Sequence, residues 1–164
     1  MDGRRPGFEE FFARTSRRAF GLAFVLSGRV ELAEELTQEA FAAAFKRWDE
    51  VAEMVDPEAW VRRVVANKAA SQVRRKLAEA RAYSRHGPTA RDALDHPAVD
   101  HEWVWALVRQ LPKRQAQAVA LRYYAGLTMA EIGEVLGCSP DTVNTHLRRA
   151  RQTLVRRVDR KDMQ

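Results

Sequence analysis

The sequence predicts an all-α protein of two small helical domains joined by a flexible linker, with a helix-turn-helix in the C-terminal domain. Apolar residues recur at three- and four-residue intervals along most of its 164 residues, which is the spacing of helices rather than strands. The periodicity fails between about residues 80 and 100, where Gly87-Pro88 and His96-Pro97 break helices. The predicted segments are a first domain at 1–80, a linker at 81–100 and a second domain at 101–164.

Charge is unevenly distributed along the chain. The formal net charge is +6, which favours a polyanionic partner, nucleic acid before membrane. The segment from Glu31 to Glu58 contains nine acidic and two basic residues. The segment from Arg62 to Arg91 contains nine basic residues and one acidic residue, Glu79. A solvated surface usually mixes its charges. The two blocks therefore indicate one surface for a basic protein and another for nucleic acid.

The first two helices are predicted from about Phe8 to Leu26, with Gly28 as the stop, and from about Glu31 to Trp48. The apolar faces expected to point inward are Phe8, Phe11, Phe12, Ala19, Leu22 and Leu26 on the first helix, and Leu32, Leu36, Ala40, Phe41, Ala44 and Phe45 on the second. The second helix carries Glu34, Glu35, Gln38 and Glu39 on or near its other side, which is the predicted acidic surface.

A loop is predicted over residues 49–55, and Asp56 as N-cap with Pro57 at the first helical position begins a third helix. Its outer side is basic, with Arg62, Arg63, Asn67, Lys68, Arg74, Arg75 and Lys76. A basic helix beside Trp48 and Trp60 could hold a nucleic-acid backbone while the aromatic rings stack on bases. The alternative is that both indoles pack in the core. This alternative is favoured for the part of each ring that faces the neighbouring helices.

The second domain begins with two short helices, one around Trp103 and Leu107 that is broken by Pro112 and one that continues through Val119 and Tyr123 to a stop at Gly126. A helix-turn-helix follows. Thr128 and Glu131 form a capping box for its first helix, and Gly137 is expected to end that helix in a left-handed cap.

Ser139 and Pro140 then predict a second helix that starts at once, so the two helices must cross sharply. Gly133 lies inside the first helix, where glycine is less favourable than alanine. Its presence is explained if a side chain there would keep the second helix away. The predicted inner stripe is Val143, Leu147, Ala150 and Leu154. The predicted outer face, which suits base edges and phosphates in a DNA major groove, is Asp141, Thr142, Asn144, Thr145, Arg148, Arg149 and Gln152. The alternative is a plain helical hairpin with a solvated basic face.

Composition excludes several other functions. Cys138 is the single cysteine and the four histidines show no metal-ligand spacing, so no disulfide, metal or other cofactor is expected. No apolar run approaches the length of a membrane span. Ser16-Arg17-Arg18 before a short apolar run imitates a twin-arginine export signal, but Glu9 and Glu10 precede it and no cleavage site follows. We therefore expect a cytoplasmic protein without membrane insertion.

Several longer motifs run through both predicted domains. The first domain contains FEEFF, AEELTQEAF and DPEAWVRRVVANKAASQVRRK, and the second contains LPKRQAQAVALRYYAGLTMAEIGEVLG and TVNTHLRRAR. Through these motifs the chain resembles the extracytoplasmic-function (ECF) sigma factors of bacterial RNA polymerase, and most closely their SigE-like actinobacterial branch. These motifs cover almost the whole chain outside the linker, in the order found in the family. The resemblance implies an alternative sigma factor that binds core RNA polymerase and promoter DNA and is restrained by an anti-sigma factor.

The resemblance also implies a role for individual residues. The implied contacts to core polymerase are Glu35, Leu36, Gln38, Glu39, Phe41 and Phe45. The implied contacts to the single-stranded minus-10 element are Trp48, Trp60, Arg62, Arg63, Asn67, Arg74 and Arg75. The implied contacts to the minus-35 duplex are Arg114, Arg122, Thr128, Ser139, Thr142, Asn144, Thr145, Arg148, Arg149 and Arg151.

The chain departs from the family pattern at three places. Glu35 replaces a usual aspartate, Asn144 and His146 stand where many members carry a basic residue, and Ala116 replaces a common arginine. A helix-turn-helix regulator that does not join the polymerase would also explain the basic C-terminal half, but not an acidic helix paired with a basic, tryptophan-bearing one. The sequence contains no grouping of a nucleophile with a base and no glycine-rich phosphate loop, so it does not indicate an enzyme.

Overall fold

The computed structural model describes residues 5–82 and 102–161, and within these ranges the chain is helical and falls into two units. The first unit contains α1 (Phe8–Ser27), α2 (Val30–Lys46), α3 (Trp48–Val51) and α4 (Pro57–Ala82). The second contains α5 (Glu102–Arg109), α6 (Lys113–Val119), a π-helical turn (Ala120–Tyr124), α7 (Met129–Leu136) and α8 (Pro140–Lys161). The predicted all-α class with two helical regions is confirmed. Apart from residues 81 and 82, which end α4, the predicted linker lies outside the described residues.

The core of the first unit is formed where α1, α2 and α4 pack together. Leu22, Leu36 and Val65 are fully buried there, and alanines at 23, 33, 40 and 66 are also without exposed surface. Small side chains allow helix axes to approach closely, so this core combines a few large aliphatic groups with close backbone contact.

The predicted ends of the first two helices are close to those observed, but the predicted loop over residues 49–55 is wrong in its first part. Trp48–Val51 form the short helix α3, in which the Ala52 N–H donates to the Trp48 carbonyl at 2.8 Å. The reason is that Trp48 is buried and fixes this turn against the core. The loop before α4 is therefore shorter and runs over residues 52–56.

The start of α4 follows the predicted capping pattern. The Asp56 carboxylate accepts a hydrogen bond from the Ala59 backbone N–H at 2.8 Å, with Pro57 as the first helical residue. This cap satisfies one of the donors that a helix leaves open at its first turn. α4 consequently begins at a defined point beside the short loop.

In the second unit, a π-helical turn changes which residues face inward. The Ala125 N–H donates to the Ala120 carbonyl at 3.0 Å, and this wider turn shifts the register of the side chains that follow. Leu121 becomes fully buried, whereas Tyr123, through which the predicted apolar spacing of this helix runs, is 76% exposed.

No helix within residues 5–82 and 102–161 is both long enough and apolar enough to cross a membrane.

Candidate functional site

The acidic face of α2 is present as predicted on the first unit. Glu34, Glu35 and Gln38 are exposed. Glu39 is half-buried, and its carboxylate accepts a hydrogen bond from the Lys68 ammonium of α4 at 2.7 Å. This ion pair joins the acidic helix to the basic one, a contact that the sequence pattern did not predict.

Two of the residues that the resemblance assigns to polymerase contact lie in the core instead. Leu36 and Phe41 are buried, because α1 packs on this side of α2. Their side chains pack on the buried side of α2 and do not form part of the acidic surface. Phe45, assigned to the same contact, is 36% exposed, and Phe12 of α1 is 43% exposed, although we had expected both rings to point inward. The face therefore carries acidic and aromatic groups together.

An aromatic cluster underlies this face. The Phe8 ring lies 5.0 Å from the Phe45 ring and 5.2 Å from the Trp48 ring, and the Phe12 ring lies 4.8 Å from the Phe41 ring, each pair in an edge-to-face arrangement. Such pairs are favoured by the electrostatics of aromatic rings. The cluster therefore fixes the position of Phe45 at the surface.

Trp48 belongs to this cluster and not to an exposed stacking site. Its side chain is 6% exposed, and its indole N–H donates to the Pro6 carbonyl at 2.9 Å. A ring held in this way has no open face for a base. The structure therefore supports the alternative that Trp48 packs in the core, and we correct its place among the minus-10 contacts.

The beginning of α4 carries Trp60 and Arg62, two of the other residues assigned to single-stranded DNA. Trp60 is half-buried, and the guanidinium carbon of Arg47 lies over its ring, 6.0 Å from the centroid. The Arg62 guanidinium is 3.2 Å from Asp56 and 3.1 Å from Glu58, so it is part of a local ion-pair network. The remaining residues so assigned lie further along α4 and are exposed: Arg63, Asn67, Arg74 and Arg75.

The helix-turn-helix has the predicted local geometry. Thr128 and Glu131 form both hydrogen bonds of a capping box, and Gly137 ends α7 with φ of +67°. The Ser139 hydroxyl accepts from the Thr142 N–H at 3.2 Å, which caps α8. Val143 and Ala150 are fully buried on the inner side of α8.

Gly133 allows the turn to approach α7. A methyl group at this position would lie 2.6 Å from the Cys138 carbonyl oxygen. The prediction of a close approach is thus correct, but the nearest contact is with the turn backbone, and Pro140 N at the start of α8 lies further away, at 3.6 Å. Cys138 itself is half-buried.

The outer face of α8 presents the residues predicted for duplex DNA. Thr145 is half-buried and its hydroxyl donates to the Asp141 carbonyl at 3.1 Å. The exposed candidates are Thr142, Asn144, Arg148, Arg149 and Arg151 on α8, with Arg114, Arg122, Thr128 and Ser139 elsewhere in the unit.

Two of these arginines also support the turn that presents α8. One guanidinium nitrogen of Arg114 donates to the Leu136 carbonyl at 3.0 Å, and one of Arg122 donates to the Leu127 carbonyl at 2.9 Å. Each bond uses a single donor of a group that has five. Both side chains are therefore fixed near the ends of α7 with donors left for phosphate oxygens.

Comparison with known proteins gives consistent matches along the chain. Residues 11–79 match the family described as Sigma-70 region 2, and residues 101–154 match Sigma-70, region 4. The chain is 28% identical over 156 residues to the ECF RNA polymerase sigma factor SigK of Mycobacterium ulcerans, covering 90% of this chain and 83% of that protein.

A second relative and a solved structure agree with these matches. The RNA polymerase sigma-E factor of Streptomyces avermitilis is 28% identical over 132 residues, covering 80% of this chain and 73% of that protein. The structure of the sigma factor RpoE in complex with the anti-sigma factor NepR from Bartonella quintana is similar in fold, with a TM-score of 0.58 and 21% identity, covering 90% of this chain and 93% of that one.

Proposed function

The chain belongs to the ECF group of sigma-70 RNA polymerase sigma factors, and we propose that its acidic α2 face binds core polymerase while α4 and α8 bind promoter DNA. Its activity is that of an alternative sigma factor, which directs sequence-specific transcription initiation. The observation that carries the assignment of surfaces is that one unit presents an acidic-aromatic face and a basic helix together. A regulator that binds only DNA has no use for the acidic face.

The proposed polymerase contact is formed by Glu35, Gln38, Glu39 and Phe45. Carboxylates arranged along one helix suit a basic helical partner, and an exposed aromatic ring supplies apolar area that charge alone does not give. Leu36 and Phe41 act by holding α2 in place. Charge reversal at Glu35 should therefore weaken core binding without unfolding the unit, because this side chain is exposed.

The proposed minus-10 contact lies on α4. Trp60 offers an aromatic ring on which an unpaired base can stack. Arg63, Asn67, Arg74 and Arg75 extend from it along the exposed side of the helix, where they follow a phosphate backbone. Arg62 orients the start of the helix through its pairs with Asp56 and Glu58 and is kept in the proposed set for its charge.

The proposed minus-35 contact is the outer face of α8 in the major groove of duplex DNA. Arginine reads guanine through two hydrogen bonds and asparagine reads adenine in the same way, so Arg148, Arg149 and Asn144 are the proposed base readers. Thr142, Thr145 and Arg151 lie beside them. The proposed contacts to the DNA backbone are Arg114, Arg122, Thr128 and Ser139.

We propose domains at 1–80 and 101–164 with a flexible linker at 81–100, so that one chain can reach two promoter elements on the polymerase. An anti-sigma factor is the proposed regulatory partner, since the similar Bartonella protein was solved with one. The place of action is the cytoplasm, where polymerase and chromosome are found. No catalytic step is assigned to the chain.

The test is transcription reconstituted from purified components. Core polymerase, the full chain and a template with a start site mapped after induced expression should give a defined transcript, and core polymerase alone should not. Glu35→Lys should reduce the transcript by weakening core binding, whereas Glu10→Lys, an exposed change on α1 outside every proposed contact, serves as the matched charge control. If the chain binds the promoter duplex but never associates with core polymerase, it acts as a DNA-binding regulator and the proposal is wrong.

A further inference from the structure

Arg47 connects two side chains at the corner between α2 and α3. Its guanidinium carbon lies over the Trp60 ring, 6.0 Å from the centroid. Its Nε donates to the Glu50 carboxylate at 3.2 Å, and Nη2 donates to the same oxygen. In the sequence, Arg47 is one of only two basic residues in the acidic block, and neither its position nor the resemblance gave it a role. The structure places it on the ring that is proposed to meet the melted strand.

The contacts that hold Arg47 in this position are weak. The side chains of Arg47 and Glu50 are 56% and 63% exposed, and an exposed ion pair at this spacing changes an equilibrium by about twofold. Where the cation is solvent-exposed, as most of the Arg47 side chain is, its contact with an indole ring contributes about two- to fivefold. Stacking of a nucleic-acid base on an aromatic ring contributes about five- to 150-fold. The two Arg47 contacts together contribute about four- to tenfold, so over most of its range base stacking is the stronger interaction with this face of Trp60.

We propose that Arg47 is an exchangeable cover of Trp60 and a further contact for the melted minus-10 strand, a proposal that rests on the DNA contact proposed for α4. When a base stacks on the indole, the guanidinium leaves the ring face and exchanges the Glu50 carboxylate for a phosphate of the same strand. A phosphate is a suitable substitute, because arginine binds its oxygens through paired hydrogen bonds as it does a carboxylate. Glu50 is then the competitor that holds Arg47 on the ring before DNA arrives.

The surroundings of Trp60 fit this exchange. The loop over residues 52–56 lies between α3 and α4, and Val55 in that loop is fully exposed. Arg63 follows Trp60 on α4 with an exposed side chain. A strand that reaches Trp60 thus meets an apolar contact and basic groups within a short stretch of chain.

The experiment uses holoenzyme assembled from purified core polymerase and the full chain. The probe is a template with a permanently melted bubble, its minus-10 sequence taken from a mapped start site and carrying 2-aminopurine at single positions of the non-template strand. Quenching of the 2-aminopurine fluorescence reports stacking of that base. Titrations over a salt series give the dependence of affinity on salt. Arg47→Ala should lower the magnitude of the slope of log K against log salt by about 0.7, the value for one phosphate contact on a single strand.

Glu50 gives an independent signature. Glu50→Gln should tighten binding about twofold, because the competing ion pair is removed, and this gain should disappear in the Arg47→Ala background. Arg47→Lys keeps the charge and should retain the salt slope. Trp60→Ala should abolish the stacking-dependent quenching of 2-aminopurine at the stacked position.

The matched control is Arg14→Ala. Arg14 is an exposed arginine on α1, paired with Glu10 at 4.0 Å, and it belongs to none of the proposed DNA contacts. Its removal makes the same charge change and should leave the salt slope unchanged. Circular dichroism confirms that each variant is folded.

Two results would overturn the inference while leaving the proposed function standing. One is an unchanged salt slope for Arg47→Ala in a holoenzyme that binds the bubble. The other is a Glu50→Gln gain of the same size with and without Arg47, since Glu50 would then act only by repelling DNA. Failure of the wild-type holoenzyme to bind any bubble template would overturn the proposed function as well.

Discussion

Replacing Gly133 by alanine tests whether the turn of the helix-turn-helix is held against α7. The Cys138 N–H donates to the Gly133 carbonyl at 2.9 Å, which folds the turn back over this residue. An added methyl group would lie 2.6 Å from the Cys138 oxygen. Because that atom belongs to the backbone, the turn must move until the distance exceeds 3.0 Å, and ordinary van der Waals contact begins at 3.4 Å.

The expected change in stability is the sum of two opposed effects. Alanine is favoured over glycine inside a helix by about 1 kcal/mol. Overpacking against a rigid neighbour costs about 1–3 kcal/mol, and backbone contact places this site at the upper end. The free energy of unfolding of the second unit should therefore fall by about 2 kcal/mol.

Gly21→Ala is the matched control. Gly21 also lies inside a helix, α1, but a methyl group there would have no neighbour within 4 Å. The same substitution should thus stabilise the first unit by up to about 1 kcal/mol. Opposite signs at the two glycines separate the steric contact from helix propensity.

Urea unfolding followed by far-ultraviolet circular dichroism measures both variants, and hydrogen exchange assigns each change to a unit. Gly133→Ala should speed exchange in α7 and α8, whereas Gly21→Ala should slow it in α1. If both substitutions stabilise the chain to a similar extent, then the turn does not press on Gly133 and the reasoning from its geometry is wrong.

Further predictions concern capping, core packing, ion pairing and base reading. Ser139→Ala removes the cap of α8 and should lower the free energy of unfolding by about 1 kcal/mol in urea titrations, whereas an unchanged midpoint would show that the hydroxyl bond is not formed. Trp48→Ala should lower the stability of the first unit by about 3–5 kcal/mol in the same assay, with a loss under 1 kcal/mol ruling out a core role for the indole. Lys68→Met should cost no more than about 1 kcal/mol, since its pair with Glu39 is more than one-third exposed, and a larger loss would show that the two helices depend on that pair. Arg148→Ala should weaken binding to a minus-35 duplex by about 1–3 kcal/mol if it reads a base, as measured by fluorescence anisotropy across promoter variants, and equal affinity for all of them would remove it from the proposed set.

The sequence predicted the secondary structure of the helix-turn-helix well, because the signals are local. Thr128 and Glu131 cap each other across three residues, and Ser139 caps α8 across the same distance. Gly137 adopts the left-handed conformation that other residues avoid. Interactions between residues so close in the chain depend little on the rest of the fold.

The exposure of individual aromatic residues could not be predicted in the same way. Helical spacing placed Phe12 and Phe45 inward, yet both rings reach the surface, because spacing gives the face of a helix and not how far the neighbouring helices cover it. The π-helical turn similarly moved Tyr123 outward, and its single wide turn has no signature in the spacing of apolar residues.

The sequence by itself determined the helical class, the order of the motifs, the capping of α4, α7 and α8, and the separation of acidic from basic segments. Tertiary structure decided that Trp48 is a core residue, since its indole is bound by Pro6, 42 residues away, and that Arg47 lies over Trp60. The physical reason is the range of the interactions. Caps and periodicity act within a few residues, whereas burial and ring contacts depend on which helices meet, and that is fixed only when the whole unit packs.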